Sequence, residues 1–596
     1  MCGIAGFLES RRDRPAADMD RDAAAMGAAL RHRGPDDAGT WVDASAGVAL
    51  AHRRLAILDL SAAGHQPMHS HCGRYVLVSN GEIYNFGALR RELERSGCAF
   101  RGHCDTEVML AAISEWGLAR AVTAFDGMFA FALWDRHERT LHLVRDRIGE
   151  KPLYYGWSGH AFLFGSELKA LRRHPCFQGC VDRDALALYL RYAYIPAPYS
   201  IYRGIRKVMP GSMVTLSANG QGGEPVESAY WSCKDAAERG LAEPFEGSAE
   251  DAAAVLADLL ESSVNLRMQA DVPVGAFLSG GYDSSTIVSL MARSGSSVKT
   301  FTLGFDERSE APFAREVARL LGTTHVEAHV TAADALAVIP QIPRLYDEPF
   351  SDSSQIPTYL ISKLARQDVS VTLTGDGGDE LFCGYGRYDA ERVAGKTETE
   401  RVERYRGMVS KWTNPVPVAP GACEPETTWT RPEQWLQTAE PCDQMMYLDT
   451  MVYLPDDLLV KLDRAAMAVA LEPRLPFLDH KVIEFAWRLP LAMKVRQGER
   501  KWILRQVLYR DVPPALVDRP KQGFEVPLRA WLTGPLRDWA ECLLAERRLR
   551  SEGFLDAVRI REEWQALPSR PSRSNHAIWA VLMFEAWLDE VRAFND

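Results

Sequence analysis

Alternating hydrophobic and polar positions dominate the first third of the chain and predict short strands. The clearest runs are 74–85, 127–135, 140–149 and 161–168. The first run leads into Asn80 and Gly81, a pair that is typical of a tight turn. Because few residues separate the runs, we expect antiparallel sheets. Helical periodicity, which predicts helices outside these sheets, covers 16–31, 86–96 and 105–116.

The pattern changes after residue 217. The following stretch is rich in Gly, Ser and Glu, and we interpret 216–250 as a linker. Strands and helices then alternate, which predicts βαβ units and a parallel sheet with ligands at the carboxyl ends of its strands. The predicted strands are 271–278, 298–305, 324–330 and 369–375, and the predicted helices are 284–295, 312–322 and 358–367. Residues 390–440, rich in Glu, Arg, Pro and Thr, are interpreted as a surface insertion.

Composition narrows the classes of partner. The chain has 596 residues, with 46% hydrophobic and 25% charged residues, which is ordinary for a globular protein of several cores. A net charge of −11 without a basic stripe argues against a nucleic-acid partner. No apolar run approaches the roughly 18 residues that span a bilayer, and Arg11 and Arg12 interrupt any secretory leader. We therefore expect a cytoplasmic protein without a membrane partner.

Cysteine usage agrees with a reducing compartment. The chain has 11 cysteines but no C-x-x-C pair and no zinc-binding spacing. Cys176 and Cys180, with His174 nearby, are better explained as reduced thiols in a loop or core than as a metal site.

The segment "FLSGGYDSST" (277–286) marks a candidate phosphate site where a buried strand passes into a helix. Its two glycines allow a tight turn with bare backbone N–H groups, and the helix N-terminus adds partial positive charge. A plain capped helix is the alternative for a lone SGG, but the complete motif is more specific. It is not a Walker A loop, and the decoy at 390–397 lacks the first glycine. The predicted ATP-binding residues of this turn are Ser279, Gly280, Gly281, Asp283, Ser284 and Ser285.

A second, acidic loop, "LTGDGGDELFCGY" (373–385), follows another strand and should open at the same sheet edge. Asp283 and Asp379 would then share Mg²⁺, a hard ion that prefers oxygen ligands, and Asp376 would face the reacting centre. Lys501 is a candidate for the phosphates, whereas Arg500 is better explained as surface charge.

The opening "MCGIAGF" poses a separate question, because chain termini fray unless the fold holds them. Removal of Met1 would leave Cys2 with both a thiol and a free α-amino group. The thiolate is the reactive form of cysteine, and an α-amine with a pKa near 7.7–8.0 can take the thiol proton. Nucleophile and base would then share one residue.

Taken together, these residues resemble the glutamine-dependent, class B asparagine synthetase family from Cys2 to roughly residue 530. The ordered strings are "MCGIAGF", "RHRGPDD", "AHRRLAILD", "NGEIYN", "DTEVML", "DGMFAFALWD", "RDRIGEKPLYY", "SELKAL", "LSGGYDSS", "GDGGDELFCGY" and "EPRLPFLDH". The resemblance implies a two-domain α/β protein with an N-terminal αββα Ntn-hydrolase sandwich. The C-terminal domain would have the parallel sheet of the adenine nucleotide α-hydrolase-like (PP-loop) type. We expect a glutaminase domain at 2–215 and an ATP-dependent synthetase domain at 251–590.

The resemblance also implies roles at the glutaminase site. Cys2 would attack the side-chain amide of glutamine, form a γ-glutamyl thioester and release ammonia before water frees glutamate. The Asn80 side chain and the Gly81 N–H would stabilise the oxyanion. The glutamine carboxylate would be held by Arg54 and its ammonium by Asp105, with Glu82 nearby.

In the synthetase domain, a carboxylate would attack the ATP α-phosphate, and ammonia would displace AMP from the acyl-adenylate. The residues implied around the nucleotide are Leu278, Leu303, Thr374 and Gly375. The implied partners are small molecules, namely glutamine, ATP and a carboxylic acid, and a homodimer is compatible with the resemblance.

Departures in the acidic loop leave the acceptor open. Where asparagine synthetases often read S-G-E-G-S-D-E, this chain has Thr374, Asp376 and Gly378, and Cys383 replaces a usual glycine. Shortening Glu to Asp moves the carboxylate by about one bond, and a shift of about 1 Å matters in catalysis. Aspartate is the first choice of acceptor. A tailoring amidotransferase, acting on a secondary metabolite or a cell-envelope sugar acid, is the alternative.

Two further classes compete less well. A β-lactam-synthetase-like enzyme would close an amide without glutamine, but the complete set of glutaminase residues argues against it. A non-enzymatic binding protein should have eroded the SGGYDSS and acidic loops, and both are intact.

Overall fold

The structure is a computed structural model that describes residues 2–218, 223–295, 297–304, 309–389, 395, 397–519, 526–569 and 572–595. Met1, whose removal the proposed base chemistry requires, lies outside these residues. So do residues 219–222 of the predicted linker and most of the decoy at 390–397. In the part of the chain that is described, no helix has the length and apolarity to cross a bilayer.

The N-terminal strands are β1 (Gly3–Glu9), β2 (Asp37–Asp43), β3 (Val48–Arg54), β4 (Met68–His69), β5 (Tyr75–Ile83), β6 (Gly127–Asp135), β7 (Thr140–Arg145), β8 (Tyr154–Ser158), β9 (Ala161–Gly165), β10 (Ile205–Lys207), β11 (Ser212–Ser217) and β12 (Val226–Ala229). Within the described residues they form two antiparallel sheets of six strands, ordered β10-β8-β9-β1-β3-β2 and β12-β11-β7-β6-β5-β4. The accompanying helices are α1 (Ala16–Ala28), α2 (Phe86–Arg95), α3 (Asp105–Trp116), α4 (Leu118–Ala124), α5 (Leu168–Leu171) and α6 (Arg183–Tyr192).

The two sheets pack face to face between layers of helices. Ile4 and Leu8 of β1 join Val76 of the other sheet in the core between the sheets. Ala5 and Phe7, on the opposite face of β1, pack in the core beneath α1. Because side chains alternate along a strand, a strand buried on both faces serves both layers. This arrangement confirms the predicted αββα sandwich.

Asn80 and Gly81 do not form the predicted tight turn. Strand β5 continues through both residues and pairs with β6 as far as Ile83 opposite Gly127. Gly81 has φ 144°, and a Cβ on it would collide with the backbone carbonyl of Met128. The glycine is therefore required for the close approach of two strands and not for chain reversal.

The segment interpreted as a linker contains regular structure. Strand β12 pairs with β11 and extends the second sheet, and helix α7 (Cys233–Ala242) packs Gly240 against Trp487. Strand β12 is exposed along its whole length, so no hydrophobic pattern marks it in the sequence.

The second part of the chain has five further principal strands, among the residues described: β13 (Val274–Phe277), β14 (Lys299–Gly304), β15 (Thr324–His329), β16 (Val371–Leu373) and β17 (Glu472–Arg474). A small hairpin consists of β18 (Val495–Arg496) and β19 (Glu499–Arg500). The helices after α7 are α8 (Ala249–Arg267), α9 (Tyr282–Arg293), α10 (Ala311–Leu321), α11 (Ala332–Val338), α12 (Ile342–Tyr346), α13 (Gln355–Ala365), α14 (Gly378–Leu381), α15 (Glu398–Val409), α16 (Pro441–Leu448), α17 (Leu459–Met467), α18 (His480–Arg488), α19 (Leu491–Lys494), α20 (Trp502–Leu508), α21 (Pro514–Val517), α22 (Leu528–Thr533), α23 (Arg537–Leu543), α24 (Glu546–Glu552), α25 (Ala557–Ala566) and α26 (Ser572–Asn595). A π-helical segment, Asp449–Leu458, lies between α16 and α17.

The principal strands form a parallel sheet in the order β15-β14-β13-β16-β17. The strand order reverses between β13 and β16, and such a switch point is where open α/β sheets bind ligands. The sequence predicted the first four strands but not β17. Pro473 lies inside β17 and interrupts its hydrophobic pattern, which an edge strand tolerates.

Residues 390–440 are not only a surface insertion. In the described part of this segment, α15 and the residues after it bury the side chains of Val402, Tyr405, Trp429 and Trp435. Buried aromatic residues lie among the charged residues of this segment. Its average composition therefore does not reveal the buried face.

The two domains are joined through buried contacts. One continuous hydrophobic core contains Phe7 and Leu163 of the first domain together with Leu256 and Leu373 of the second. The backbone N–H of Ser351 donates to the Ala193 carbonyl across the junction at 2.9 Å.

Candidate functional site

Cys2 lies buried immediately before β1, in the middle of the first sheet. Its backbone nitrogen, which becomes the α-amino group once Met1 is removed, donates to Asn80 Oδ1 at 2.9 Å. Its Sγ lies 4.0 Å from the Leu55 carbonyl oxygen. Burial raises the pKa of the Cys2 thiol above its ordinary value. The thiol therefore needs a nearby base to ionise.

Asn80 is fully buried opposite Cys2, and only one of its two polar side-chain atoms is hydrogen-bonded in the described part of the chain. Oδ1 accepts from Cys2, but Nδ2 has no hydrogen-bond partner among the described residues. Buried donors are rarely left unpaired, so an unpaired one needs an explanation. A ligand oxygen bound beside the Cys2 thiol would supply the missing acceptor.

Two carboxylates lie near this position. Asp105, at the start of α3, accepts from the Ile83 backbone N–H at 2.8 Å, and burial raises its pKa to about 6. Glu82 is also buried, and burial together with the charge of Asp105 raises its pKa well above the ordinary value. Glu82 Oε2 has no partner in the described part of the chain. The site thus holds acidic groups that a bound cation would stabilise in their charged forms.

Arg54 ends β3, the strand next to β1. Its guanidinium donates to the Ser61 carbonyl at 2.8 Å and to the Asp59 carbonyl, which fixes its direction. A Cβ on Gly64 would collide with Arg54 Nη2, so a side chain there would displace the guanidinium. The structure therefore places the predicted glutamine-site residues directly before β1, at the end of β3, within β5 and at the start of α3.

Arg33 is a residue of this site that the sequence analysis did not single out. It is fully buried, and its Nε donates to the Cys2 carbonyl oxygen at 3.1 Å. Its other nitrogens donate to Glu167 at 2.7 Å and to both oxygens of Asp463 at 2.8 Å. Burial opposes the charge of Arg33, but the attraction of Asp463 and Glu167 outweighs it and raises the pKa.

Asp463 belongs to α17 of the second domain, so a carboxylate of that domain supports Arg33, the residue behind Cys2. A second connection runs from β17, where Arg474 binds Glu472 at 2.7 Å and lies 3.8 Å from Glu82. The motif "EPRLPFLDH" contains Arg474 and the motif "NGEIYN" contains Glu82, but only the fold shows that these two motifs meet.

The predicted phosphate turn begins at the carboxyl end of β13. Gly280 adopts φ 73°, which favours glycine, and Gly281 is the N-cap of α9. Ser279 and Ser284 close the turn, with their hydroxyl oxygens 3.0 Å apart. Ser285 Oγ is buried without a partner among the described residues. A glycine turn lined with hydroxyls at a helix N-terminus suits an anion such as phosphate.

The acidic loop lies directly against this turn, as the sequence predicted. A Cβ on Gly375 would lie 2.8 Å from Asp283 Cβ, and one on Gly378 would lie 2.6 Å from Asp283 Oδ1. These glycines let the loops after β13 and β16 approach each other at the switch point.

Lys501 lies between the two carboxylates that were predicted to share a metal ion. Its buried Nζ is 2.5 Å from Asp283 Oδ2 and 2.5 Å from Asp379 Oδ1. The two carboxylates raise the pKa of Lys501 despite its burial. Because both carboxylates reach one small cation, their oxygens also fit a divalent ion that prefers oxygen ligands.

The remaining predicted residues border the same edge. Thr374 Oγ1 donates to Asp376 Oδ2 at 2.8 Å. Leu278 and Leu303 are buried at the ends of β13 and β14. Arg500, interpreted as surface charge, pairs with Asp389 at 2.6 Å instead of entering the site.

Two family models match the chain. A glutamine amidotransferase domain covers residues 1–231, and an asparagine synthase domain covers residues 255–589. With the fold and the two sites, these matches define a glutamine amidotransferase joined to a ligase domain.

Curated relatives match along nearly the whole chain. Glutamine-hydrolysing asparagine synthetase 1 of Bacillus subtilis is 31% identical over 98% of this chain and 96% of the relative. Asparagine synthetase 3 of the same organism is 29% identical, with 94% and 92% covered. The protein named "Amidase chry2" of Gibberella zeae is 27% identical, with 95% and 94% covered. The chain belongs to the asparagine synthase family and is a ligase-type amidotransferase; that family uses ATP.

Proposed function

We propose that this enzyme hydrolyses glutamine at Cys2 and uses the ammonia to amidate a carboxylic acid activated by ATP. The products would be glutamate, AMP, pyrophosphate and an amide. One observation carries the proposed glutamine hydrolysis. The buried Asn80 Nδ2 has no hydrogen-bond partner among the described residues, while Asn80 Oδ1 accepts from Cys2. The carboxylate-flanked glycine turn at the switch point supports the ATP half.

In the glutaminase step, the α-amine of mature Cys2 accepts the thiol proton, and the sulfur attacks the glutamine amide carbon. The negative charge on the amide oxygen is stabilised by Asn80 Nδ2 and the Gly81 N–H. Protonation of the amide nitrogen then releases ammonia and leaves a thioester, which water hydrolyses. Arg54 binds the glutamine carboxylate and Asp105 its ammonium group, with Glu82 beside them.

In the synthetase step, a carboxylate oxygen of the acceptor attacks the ATP α-phosphorus and pyrophosphate leaves. Ammonia then attacks the acyl carbon, AMP leaves, and one proton is lost from the nitrogen. The turn residues Ser279, Gly280, Gly281, Ser284 and Ser285 bind the phosphates, with Lys501 neutralising their charge. Leu278, Leu303, Thr374 and Gly375 border the nucleotide, and Asp376 orients the reacting centre.

Asp283 and Asp379 are the residues that would hold Mg²⁺. When bound, the ion offsets the negative charge of the triphosphate. Both carboxylates already bind one cation, the Lys501 ammonium, which supports this assignment.

The names of the relatives support a first candidate for the acceptor. Aspartate is that candidate, because relatives over nearly the full length are named asparagine synthetases. A tailoring amidation of another carboxylic acid is the second, supported by the relative named as an amidase and by the cavity described below.

Incubation with glutamine, Mg-ATP and a panel of carboxylic acids tests the proposal. We expect acid-dependent formation of AMP, pyrophosphate and a new amide in equal amounts, with one glutamate per amide. ATP turnover without use of either glutamine or ammonium would favour an intramolecular, lactam-forming enzyme. Glutamate release without any acid-dependent AMP would refute the synthetase half.

We also propose a cytoplasmic location, which the free state of all 11 cysteines supports. A homodimer remains a prediction, and sedimentation of the purified enzyme would test it.

A further inference from the structure

A cavity of about 530 Å³ lies at the junction of the two domains. The first domain contributes Tyr192, the last residue of α6, and the two residues after it, Ala193 and Tyr194. The second contributes Asp352 from the loop before α13 and Val409 from α15, among others. This volume is in the range of roughly 300–1,000 Å³ found for pockets that enclose drug-sized ligands.

Aromatic rings form much of the cavity wall. Tyr192 stacks with Tyr194 at a centroid distance of 5.9 Å and with Trp429 at 6.1 Å. Tyr453 adds a further ring from the π-helical segment. Aromatic faces attract organic cations, and they exclude water from the groups beside them.

Two carboxylates on the π-helical segment border the cavity without being fully bonded. Asp449 and Asp457 lie on either side of Tyr453 at intervals of four residues, and all three line the cavity. Asp449 is fully buried and Asp457 is 5% exposed. In each, Oδ1 has no hydrogen-bond partner among the described residues.

These carboxylates differ in their neighbours. Asp449 Oδ2 accepts from Arg387 at 2.6 Å and from the hydroxyls of Tyr388 and Tyr405. Asp457 makes no ion pair within 4.0 Å in the described part of the chain. Burial and the charge of Asp352 raise its pKa well above the ordinary value, although Lys461, Lys411 and Arg387 oppose this shift. A buried acid of this kind is stabilised in its charged form by a bound cation.

The cavity adjoins the adenylation site through Lys461. The Lys461 ammonium binds Asp352, a residue of the cavity wall, at 2.9 Å. Burial opposes the charge of Lys461, yet its pKa is raised. The carboxylates that raise it are Asp352, Asp457 and Asp376. One ammonium therefore interacts both with the cavity wall and with the acidic loop.

A second connection runs through aromatic residues. The ring of Tyr453 contacts the ring of Tyr385 at a centroid distance of 6.2 Å. The Tyr385 hydroxyl donates to Glu380 of the acidic loop at 2.7 Å. Only Tyr453 would thus separate an acid in the cavity from Tyr385 of the acidic loop, which is proposed to face the nucleotide.

We infer that this cavity is the acceptor site and that it binds a carboxylic acid larger than aspartate that carries an ammonium group. The ammonium interacts with Asp457 and Asp449 among the aromatic rings, while the reacting carboxylate points toward Lys461 and the acidic loop. A four-carbon amino acid would leave most of the cavity unfilled. This inference rests on the proposed function, because it assumes that ATP activates the acceptor at the adjoining loops.

Two matched series of acids test the inference. The first is L-aspartate, L-glutamate, L-2-aminoadipate and L-2-aminopimelate, and the second is the same diacids without the amino group. Full-length enzyme receives Mg-ATP and ammonium chloride, and acid-dependent pyrophosphate release gives kcat/KM. We expect the longer amino acids to exceed aspartate, and every amino acid to exceed its deaminated counterpart by about tenfold or more.

Variants localise the effect. Asp457→Asn should remove the advantage of the amino acids over the deaminated acids, whereas Val409→Phe, which narrows the cavity, should shift the preference toward aspartate. Asp456→Asn is the matched control and should retain the wild-type preference, because Asp456 is buried but accepts from the Ala197 backbone at 2.8 Å. Glutamine hydrolysis, measured in each preparation, reports folded protein.

The possible outcomes distinguish failure of this inference from failure of the proposed function on which it rests. Pyrophosphate release that is greatest with aspartate, or an amino preference unchanged in Asp457→Asn, would overturn the inference and leave the reaction standing. No pyrophosphate with any of the acids would overturn the adenylation step and the inference with it. The wild-type comparison decides the question even if a variant does not fold.

Discussion

The replacement Asp463→Asn tests whether the synthetase domain positions the glutaminase nucleophile. Asp463 binds both terminal nitrogens of Arg33 at 2.8 Å, and Arg33 Nε binds the Cys2 carbonyl at 3.1 Å. Asparagine has nearly the same shape but lacks the charge and one of the two acceptors. The mutation therefore perturbs Cys2 from the other domain without touching the thiol.

The size of the effect follows from the bonds that remain. Loss of one partner from a buried ion pair costs about 3–5 kcal/mol. Glu167 still binds Arg33 at 2.7 Å, and the asparagine oxygen still accepts one bond. We therefore expect Asp463→Asn to cost less than this, about the 1.5–3 kcal/mol of one hydrogen bond to a charged group. If Arg33 tilts and Cys2 shifts by about 1 Å, kcat/KM for glutamine should fall about 10- to 100-fold.

The assay compares glutamate release with ammonium-dependent amide formation in the same preparations. We expect glutamate release to fall much further than ammonium-dependent synthesis. Asp479→Asn is the matched control, because Asp479 is a buried partner of Arg267 at 3.1 Å and makes no described contact with Cys2. Equal glutaminase rates in Asp463→Asn and wild type, or equal losses in both variants, would refute the reasoning.

Three further predictions concern single groups. Cys2→Ala should abolish glutamine use and retain synthesis with ammonium, as measured by amide formation; an equal loss with both donors would contradict separate sites. Asp283→Ala should stop pyrophosphate release while glutamate release continues, and undiminished pyrophosphate would remove Asp283 from the proposed metal site. The kcat/KM for glutamine should fall as pH drops through about 6, because burial raises the Asp105 pKa to about 6 and only the charged carboxylate binds an ammonium group. Asp105→Asn should show a lower kcat/KM without that inflection, and an unchanged inflection would assign it to another group.

Much of the fold was predictable because its elements carry local patterns. The alternating runs of β5 and β6 and the strand–helix rhythm from β13 onward are visible one segment at a time. Elements without such a pattern were missed. Strand β12 is fully exposed, β17 contains Pro473, and the buried side of α15 is hidden by its charged neighbours.

The Asn80–Gly81 pair shows the limit of local rules at the site itself. The dipeptide favours a turn in isolation, yet here pairing with β6 keeps the backbone extended. The sequence could still mark Asn80 as a candidate, since the pair lies in a recognisable motif. Only the fold shows that Oδ1 is occupied by Cys2 while Nδ2 has no described partner.

The sequence alone marked the candidate chemistry at two points: a cysteine at position 2, and a glycine-serine turn followed by an acidic loop. Each is a short run of adjacent residues, so its residue types and their spacing can be interpreted without the fold. The tertiary structure decided what joins them, namely the contact of Arg33 with Asp463, the bridge of Lys501 between two loops and the cavity between the domains. Those features depend on residues hundreds of positions apart, and only packing brings such residues into contact.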